Sequence, residues 1–199
     1  MHNAIKIPLI ILGAGLAMLL MFAGVVAIFY YSTQELEVTE ADKSLVVGPE
    51  ALQPYFDDYH AISESIRYRK VKYIDGQIEL DMEYDVEDID QPYMSVVITD
   101  SRRKSEAISN YLVSWNAMVA VYNAYDTDYD IVEDNNVISL GDRSRFAYIK
   151  YQDQIVGNLI LFVSGSKLYE LTMTGFYIED GEIWSELLAD KPAMLANFK

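Results

Sequence analysis

Twenty-five consecutive residues, Ile7 to Tyr31 (IPLIILGAGLAMLLMFAGVVAIFYY), carry no charge. At 1.5 Å per residue, a helix of that length spans roughly 37 Å, more than the roughly 30 Å hydrocarbon core of a bilayer. Pro8 falls where the first turn of a helix tolerates a missing N–H, and Tyr30 and Tyr31 fall where amphipathic rings favour the headgroup layer. The run therefore reads as a transmembrane helix over 7–31, behind a short tail of residues 1–6. The competing reading is a cleaved signal peptide, since Val25-Val26-Ala27 supplies small residues at the spacing a signal peptidase needs. Against it stands the length of the run, well beyond the roughly 7–15 residues of a signal core.

Lys6 precedes the run, and Lys43 is the first basic residue after it. That lysine bias places the N-terminus in the cytoplasm and the remaining chain on the periplasmic or outer face of the cell membrane. Residues 1–31 hold no acidic side chain, so all 31 Asp and Glu residues of the chain, whose net charge is −16, belong to the remainder. Such a field repels phosphate backbones and anionic headgroups, which argues against nucleic acid and against a domain whose acidic body lies on the lipid surface, and favours a basic partner or simple solubility. Cysteine is absent, which removes disulfides, thiolate nucleophiles and thiolate metal sites.

Residues 32–44 are polar and acidic without apolar periodicity, as expected of a stalk. Residues 45–199 suit one α+β domain, a mainly antiparallel sheet packed against one long amphipathic helix with short terminal helices. Gly48-Pro49 opens a short helical stretch, broken near Pro54. The runs IRYRKVKY and IELDMEYDVE flank Ile74-Asp75-Gly76-Gln77, and the Asp-Gly pair predicts a hairpin with a two-residue turn. In that register Lys72 opposes Glu79 and Lys70 opposes Asp81 on a polar face, while Tyr73 opposes Ile78 and Val71 opposes Leu80 on an apolar one. A third strand, PYMSVVITD, leads to a helix over 103–123, capped by Asp100 or Ser101. Its apolar stripe is Ile108, Tyr111, Leu112, Trp115, Met118, Val119 and Tyr122. YDIVE, NVISL, RFAYIKYQ, QIVGNLILFV and KLYELTMTG read as further strands, with closing helices over 181–188 and 192–198.

Chemistry-bearing candidates are few. His60 lies among Asp57, Asp58, Ser63 and Glu64, a composition compatible with acid–base work, but no nucleophile or oxyanion motif accompanies it. Asp126, Asp128 and Asp130 form D-x-D-x-D, followed by Glu133 and Asp134, like the opening of a Ca²⁺ loop. Ile131 and Val137 stand where an EF-hand needs glycine and glutamate, leaving an irregular Ca²⁺ loop or a solvated turn. In the apolar run Gly13 and Ala17, and again Ala23 and Ala27, are small residues at four-residue spacing, suited to pairing with another membrane helix.

The order of hairpin, strand, long helix, antiparallel strands and closing helix resembles the PsbP-like fold, which includes DcrB-type periplasmic lipoproteins. GNLILFVSGSKLYELTMTG, with Leu168-Tyr169-Glu170-Leu171-Thr172 before Gly175, and the terminal ANF carry that resemblance. It implies a non-enzymatic accessory protein, although this chain has no lipobox cysteine. The expectation is a membrane-anchored extracytoplasmic accessory or binding protein acting through protein contacts, as a homo-oligomer or with a membrane-protein partner. It holds to the bilayer through 7–31 and needs no cofactor. The alternatives are a carboxylate-based hydrolase and a Ca²⁺-responsive module.

Overall fold

The computed structural model describes residues 33–56, 65–85, 92–125 and 128–199. The expected membrane helix 7–31, its small residues Gly13, Ala17, Ala23 and Ala27, and His60 with its polar neighbours lie outside the described residues. Among the described residues, no helix is long and apolar enough to cross a membrane.

The α+β expectation holds. Eight strands make one sheet in the order β1-β2-β3-β4-β8-β7-β6-β5, every pairing antiparallel. Two meanders meet at its centre: β1 (Thr33–Leu36), β2 (Ile66–Tyr73), β3 (Ile78–Asp85) and β4 (Tyr93–Asp100) form one, and β5 (Tyr129–Glu133), β6 (Arg143–Tyr151), β7 (Gln154–Ser164) and β8 (Lys167–Thr174) the other. Four short α-helices among the described residues flank the sheet: α1 (Glu40–Leu45) and α2 (Pro49–Leu52) between β1 and β2 and, after β8, a pair given below. The long helix α3 (Lys104–Tyr125) carries the chain from β4 at the centre to β5 at the far edge, because a central strand cannot reach an edge by a tight turn.

Alternation puts two cores on the two faces of the sheet. On one face Leu80, Met82, Val96, Ile98, Phe162 and Tyr169 are buried beneath residues of α1, α2 and the closing helices α4 (Gly181–Leu188) and α5 (Lys191–Leu195), with Trp184 tilted against Phe146 at 6.5 Å. On the other, α3 lays Ala107, Tyr111 and Trp115 onto Ala147, Ile149, Leu159, Leu161 and Leu168. These strand residues belong to β6, β7 and β8, so α3 covers the second meander's side of that face. Leu112, expected in the buried stripe, is 43% exposed. It lies about 100° around the helix from Tyr111, outside the arc that a flat sheet can contact.

Three further expectations are corrected. The stretch 32–44 is not a stalk over its described part: Thr33 to Leu36 add an edge strand to β2, and Thr39 and Asp42 form a reciprocal capping box at the start of α1. Buried Asp42 then meets buried Lys70 of β2 at 2.7 Å, tying this segment to the sheet. Burial acts to raise the Asp42 carboxyl, but hydrogen bonds from Lys70 and Thr39 outweigh it and hold it below its usual range. NVISL is not a strand; Asn136 instead turns on Asp134, and Ser144 holds the Leu140 N–H. Neither Asp100 nor Ser101 caps α3. Asp100 accepts from Ser166 and Arg102, while Ser101 accepts from Asn110.

The last correction shapes the site. The β2–β3 loop has three residues, Ile74, Asp75 and Gly76, closed by the Tyr73 N–H donating to the Gln77 carbonyl and the Gly76 N–H to the Tyr73 carbonyl, both at 2.8 Å. Gly76 takes a φ of +88°, the left-handed conformation such a loop requires. One extra loop residue slips the register by one: Lys70 opposes Leu80, Val71 opposes Glu79, and Arg69 opposes Asp81. A one-residue slip moves every side chain of β2 relative to its expected partner. Lys70 therefore points to the Asp42 side of the sheet, and Val71 joins the acidic side.

Candidate functional site: a carboxylate groove beside the long helix

The first meander presents Glu79, Asp81 and Glu83 of β3 and Tyr93, Ser95, Val97 and Thr99 of β4 to the face that α3 covers over the other half. Between these strands and one flank of α3 runs a groove of about 310 Å³, lined by Glu79, Thr99, Asn110, Ser114 and Glu170 among others.

Glu170 is the unusual member. It sits in central strand β8, opposite Val97 on one side and Leu161 on the other. The Ser114 hydroxyl of α3 donates to its Oε1 at 3.1 Å. Burial pushes its carboxyl up to about 7; the negative charge of Glu79 adds to the shift and the Ser114 hydrogen bond opposes it. Glu79 accepts a hydrogen bond from the Tyr73 hydroxyl at 3.0 Å, and burial together with Glu79 raises that phenol. Asp81 is raised by burial and by Glu83 and Glu79, with Arg69 opposing.

The true register decides where cations are missing. Arg67 reaches Glu83 and Asp85 at 3.4 and 3.6 Å, and Arg69 lies opposite Asp81. Glu79 faces Val71 and Thr99, and Glu170 faces Val97 and Leu161, so the inner end of the groove carries carboxyl groups with no basic residue across from them. With the expected register Lys72 would have neutralised Glu79. Chemically, this end can take up an ammonium or guanidinium group, and Glu170 can hold or release a proton near neutral pH.

The Asp126–Asp134 run is placed differently. Asp126 lies outside the described residues, Asp128 accepts from the Gln152 side chain at 3.0 Å, and Asp130 lies in β5 opposite Lys150. Glu133 takes the Trp115 indole N–H at 2.9 Å, and Asp134 caps a turn at Asn136. Among the described residues, no three carboxylate or imidazole groups converge as a metal centre requires. Sequence reasoning missed Glu170 and Glu79 as a pair. A signal for the first was present: Glu170, Thr172 and Thr174 alternate with Tyr169, Leu171 and Met173, which marks a polar stripe inside a strand otherwise read as core. No family model, curated protein or solved structure matches the chain.

Proposed function

We propose that this chain is a membrane-anchored extracytoplasmic accessory protein that binds a basic partner in the groove beside α3. The anchor is the uncharged run 7–31, and the lysine bias around it supports a cytoplasmic N-terminus. The single observation that carries the binding reading is the pairing of Glu79 and Glu170 in a groove where neither has a cation opposite. Carboxylates held only by neutral hydroxyls, with no cation opposite, favour an incoming cation, whereas the Arg67 end of the face is already neutralised. An accessory role is also what the resemblance of the sequence to the PsbP-like fold implies. Titrating the full chain in detergent with a lysine- and arginine-rich peptide, and with an acid-rich peptide of equal length, tests the reading. Salt-sensitive binding of the basic peptide, weakened at least tenfold by Glu79→Gln and unaffected by Asp130→Asn, is expected. Equal retention of both peptides refutes it.

A second reading is favoured by the Glu170 carboxyl lying at about 7. It makes the chain a hydrolase, with protonated Glu170 as general acid and Glu79 as the second carboxyl group of the pair. Any hydrolytic turnover by the purified chain should then vanish in Glu170→Gln, and turnover that survives both Glu170→Gln and Glu79→Gln rules this reading out.

A further inference from the structure

We propose that the end of the sheet where β1 begins is a lipid-docking surface, with Ile74, Arg102 and Arg103 set against anionic headgroups of the bilayer. The inference rests on the membrane-anchor reading of residues 7–31 and deepens it by naming the part of the domain that meets the lipid.

The strand register brings the parts together. Thr33, the first residue of β1, pairs with Tyr73 at the end of β2, so Ile74 in the adjoining loop stands beside the start of the domain. Ile78 pairs with Asp100, which places the β4–α3 corner at the same end. Between Tyr31, the last residue of the apolar run, and Thr33 there is a single residue, Ser32. A chain that leaves lipid at Tyr31 and enters an edge strand at Thr33 has no length in which to hold the domain away from the headgroups, since one residue spans at most ~3.6 Å.

What that end presents suits an anionic lipid surface. Ile74 is 82% exposed, a large apolar side chain with nothing of the domain covering it. Arg102 and Arg103, at the β4–α3 corner of the same end, are exposed. Arg102 has a φ of 59°, a left-handed conformation that an L-residue avoids, held by the Asp100 carboxylate accepting its N–H at 3.0 Å. This bend lays the Arg102 side chain over the hairpin loop, its Cδ 3.4 Å from where a Cβ on Gly76 would sit, so loop and corner make one surface. Strain of this kind persists where the surroundings impose it and recurs at binding sites. The carboxylates nearby are mostly engaged: Asp100 with Lys167, Asp142 with Lys104, and Asp75 with the Gln77 N–H, while Glu106 lies 3.9 Å from Arg103. The opposite end of the sheet carries Asp85, Asp128 and Asp153. With Lys167, Lys104 and Arg103 each matched by a carboxylate, Arg102 beside the exposed Ile74 loop is the cation this end offers to an anionic headgroup.

Because the chain has no cysteine, single substitutions accept unique fluorescent labels. The full chain is placed in nanodiscs of phosphatidylcholine with phosphatidylserine, labelled at Ala17→Cys, Ile74→Cys or Gln154→Cys, and quenched by headgroup-level and chain-level spin-labelled lipids. Quenching at positions 17 and 74 but not at 154 is expected. Arg102→Gln with Arg103→Gln should lower the docked-to-undocked ratio at position 74, at about fivefold per removed cation. Quenching at 17 with position 74 as free of lipid as 154 overturns the docking surface and leaves the anchor standing. Shielding of 74 from water without lipid quenching overturns it as well, in favour of a protein contact. Absence of quenching at 17 overturns the anchor and this inference together.

Discussion

Replacing Glu170 with glutamine isolates a carboxyl that burial in the folded domain raises toward neutrality. Its folded-state pKa is raised from 4.5 to about 7, chiefly by burial. A raised carboxyl favours the protonated folded state, so its contribution to stability is complete below the unfolded value and is lost as pH climbs through about 7. At ~1.36 kcal/mol per unit, the loss across that window is about 3 kcal/mol. Glutamine keeps an acceptor for the Ser114 hydroxyl and cannot ionise. The variant should therefore match the parent near pH ~4 and exceed it by about 3 kcal/mol near pH ~8. Urea unfolding of the detergent-solubilised chain, followed by the fluorescence of buried Trp115 and Trp184, measures the difference at each pH. Asp42 and Asp100 do not confuse the comparison, since hydrogen bonds and ion pairing with Lys70 and Lys167 keep both below the ordinary carboxylate range despite burial. Parallel pH profiles for parent and variant would refute the assignment of Glu170 as a buried, proton-holding group.

Asp42→Ala should destabilise the domain by about 3 kcal/mol or more at neutral pH, because it leaves Lys70 buried and unpaired; the same urea experiment checks it. The depressed Asp42 carboxyl contributes stability above 3.8 that is lost as pH falls through its lower folded value, so the gap between parent and Asp42→Ala should narrow only in acid. Gly76→Ala should cost about 1 to 2 kcal/mol and Gly76→Asn less, because an added Cβ meets only ordinary contact with Arg102 and the penalty comes from the left-handed φ, which asparagine tolerates. Thermal unfolding of the two variants ranks them.

Much of the architecture was legible because strand and helix periodicities are local. The alternation of β3, the strand runs 154–164 and 167–174 and the helix through Trp115 can each be read within a dozen residues, and each is found. The candidate groove was not legible. Asp75-Gly76 signals a turn but not whether it closes over two residues or three, and that one residue decides whether Glu79 faces Lys72 or Val71. The stretch 32–44 looks like a stalk because its apolar content is low; its described part is tied down by partners far along the chain, above all Lys70, 28 positions from Asp42. Glu170 becomes a neutral-pH proton site only through burial in the folded sheet beside α3, which outweighs the opposing hydrogen bond from Ser114, 56 residues away. The sequence by itself determined which segments are strands or helices and which stretch could cross a bilayer, because dihedral preference and hydropathy act over neighbouring residues. The tertiary structure alone decided register, the partners of buried charges and the desolvation of Glu170, because those energies depend on groups that only the folded chain brings within a few ångströms.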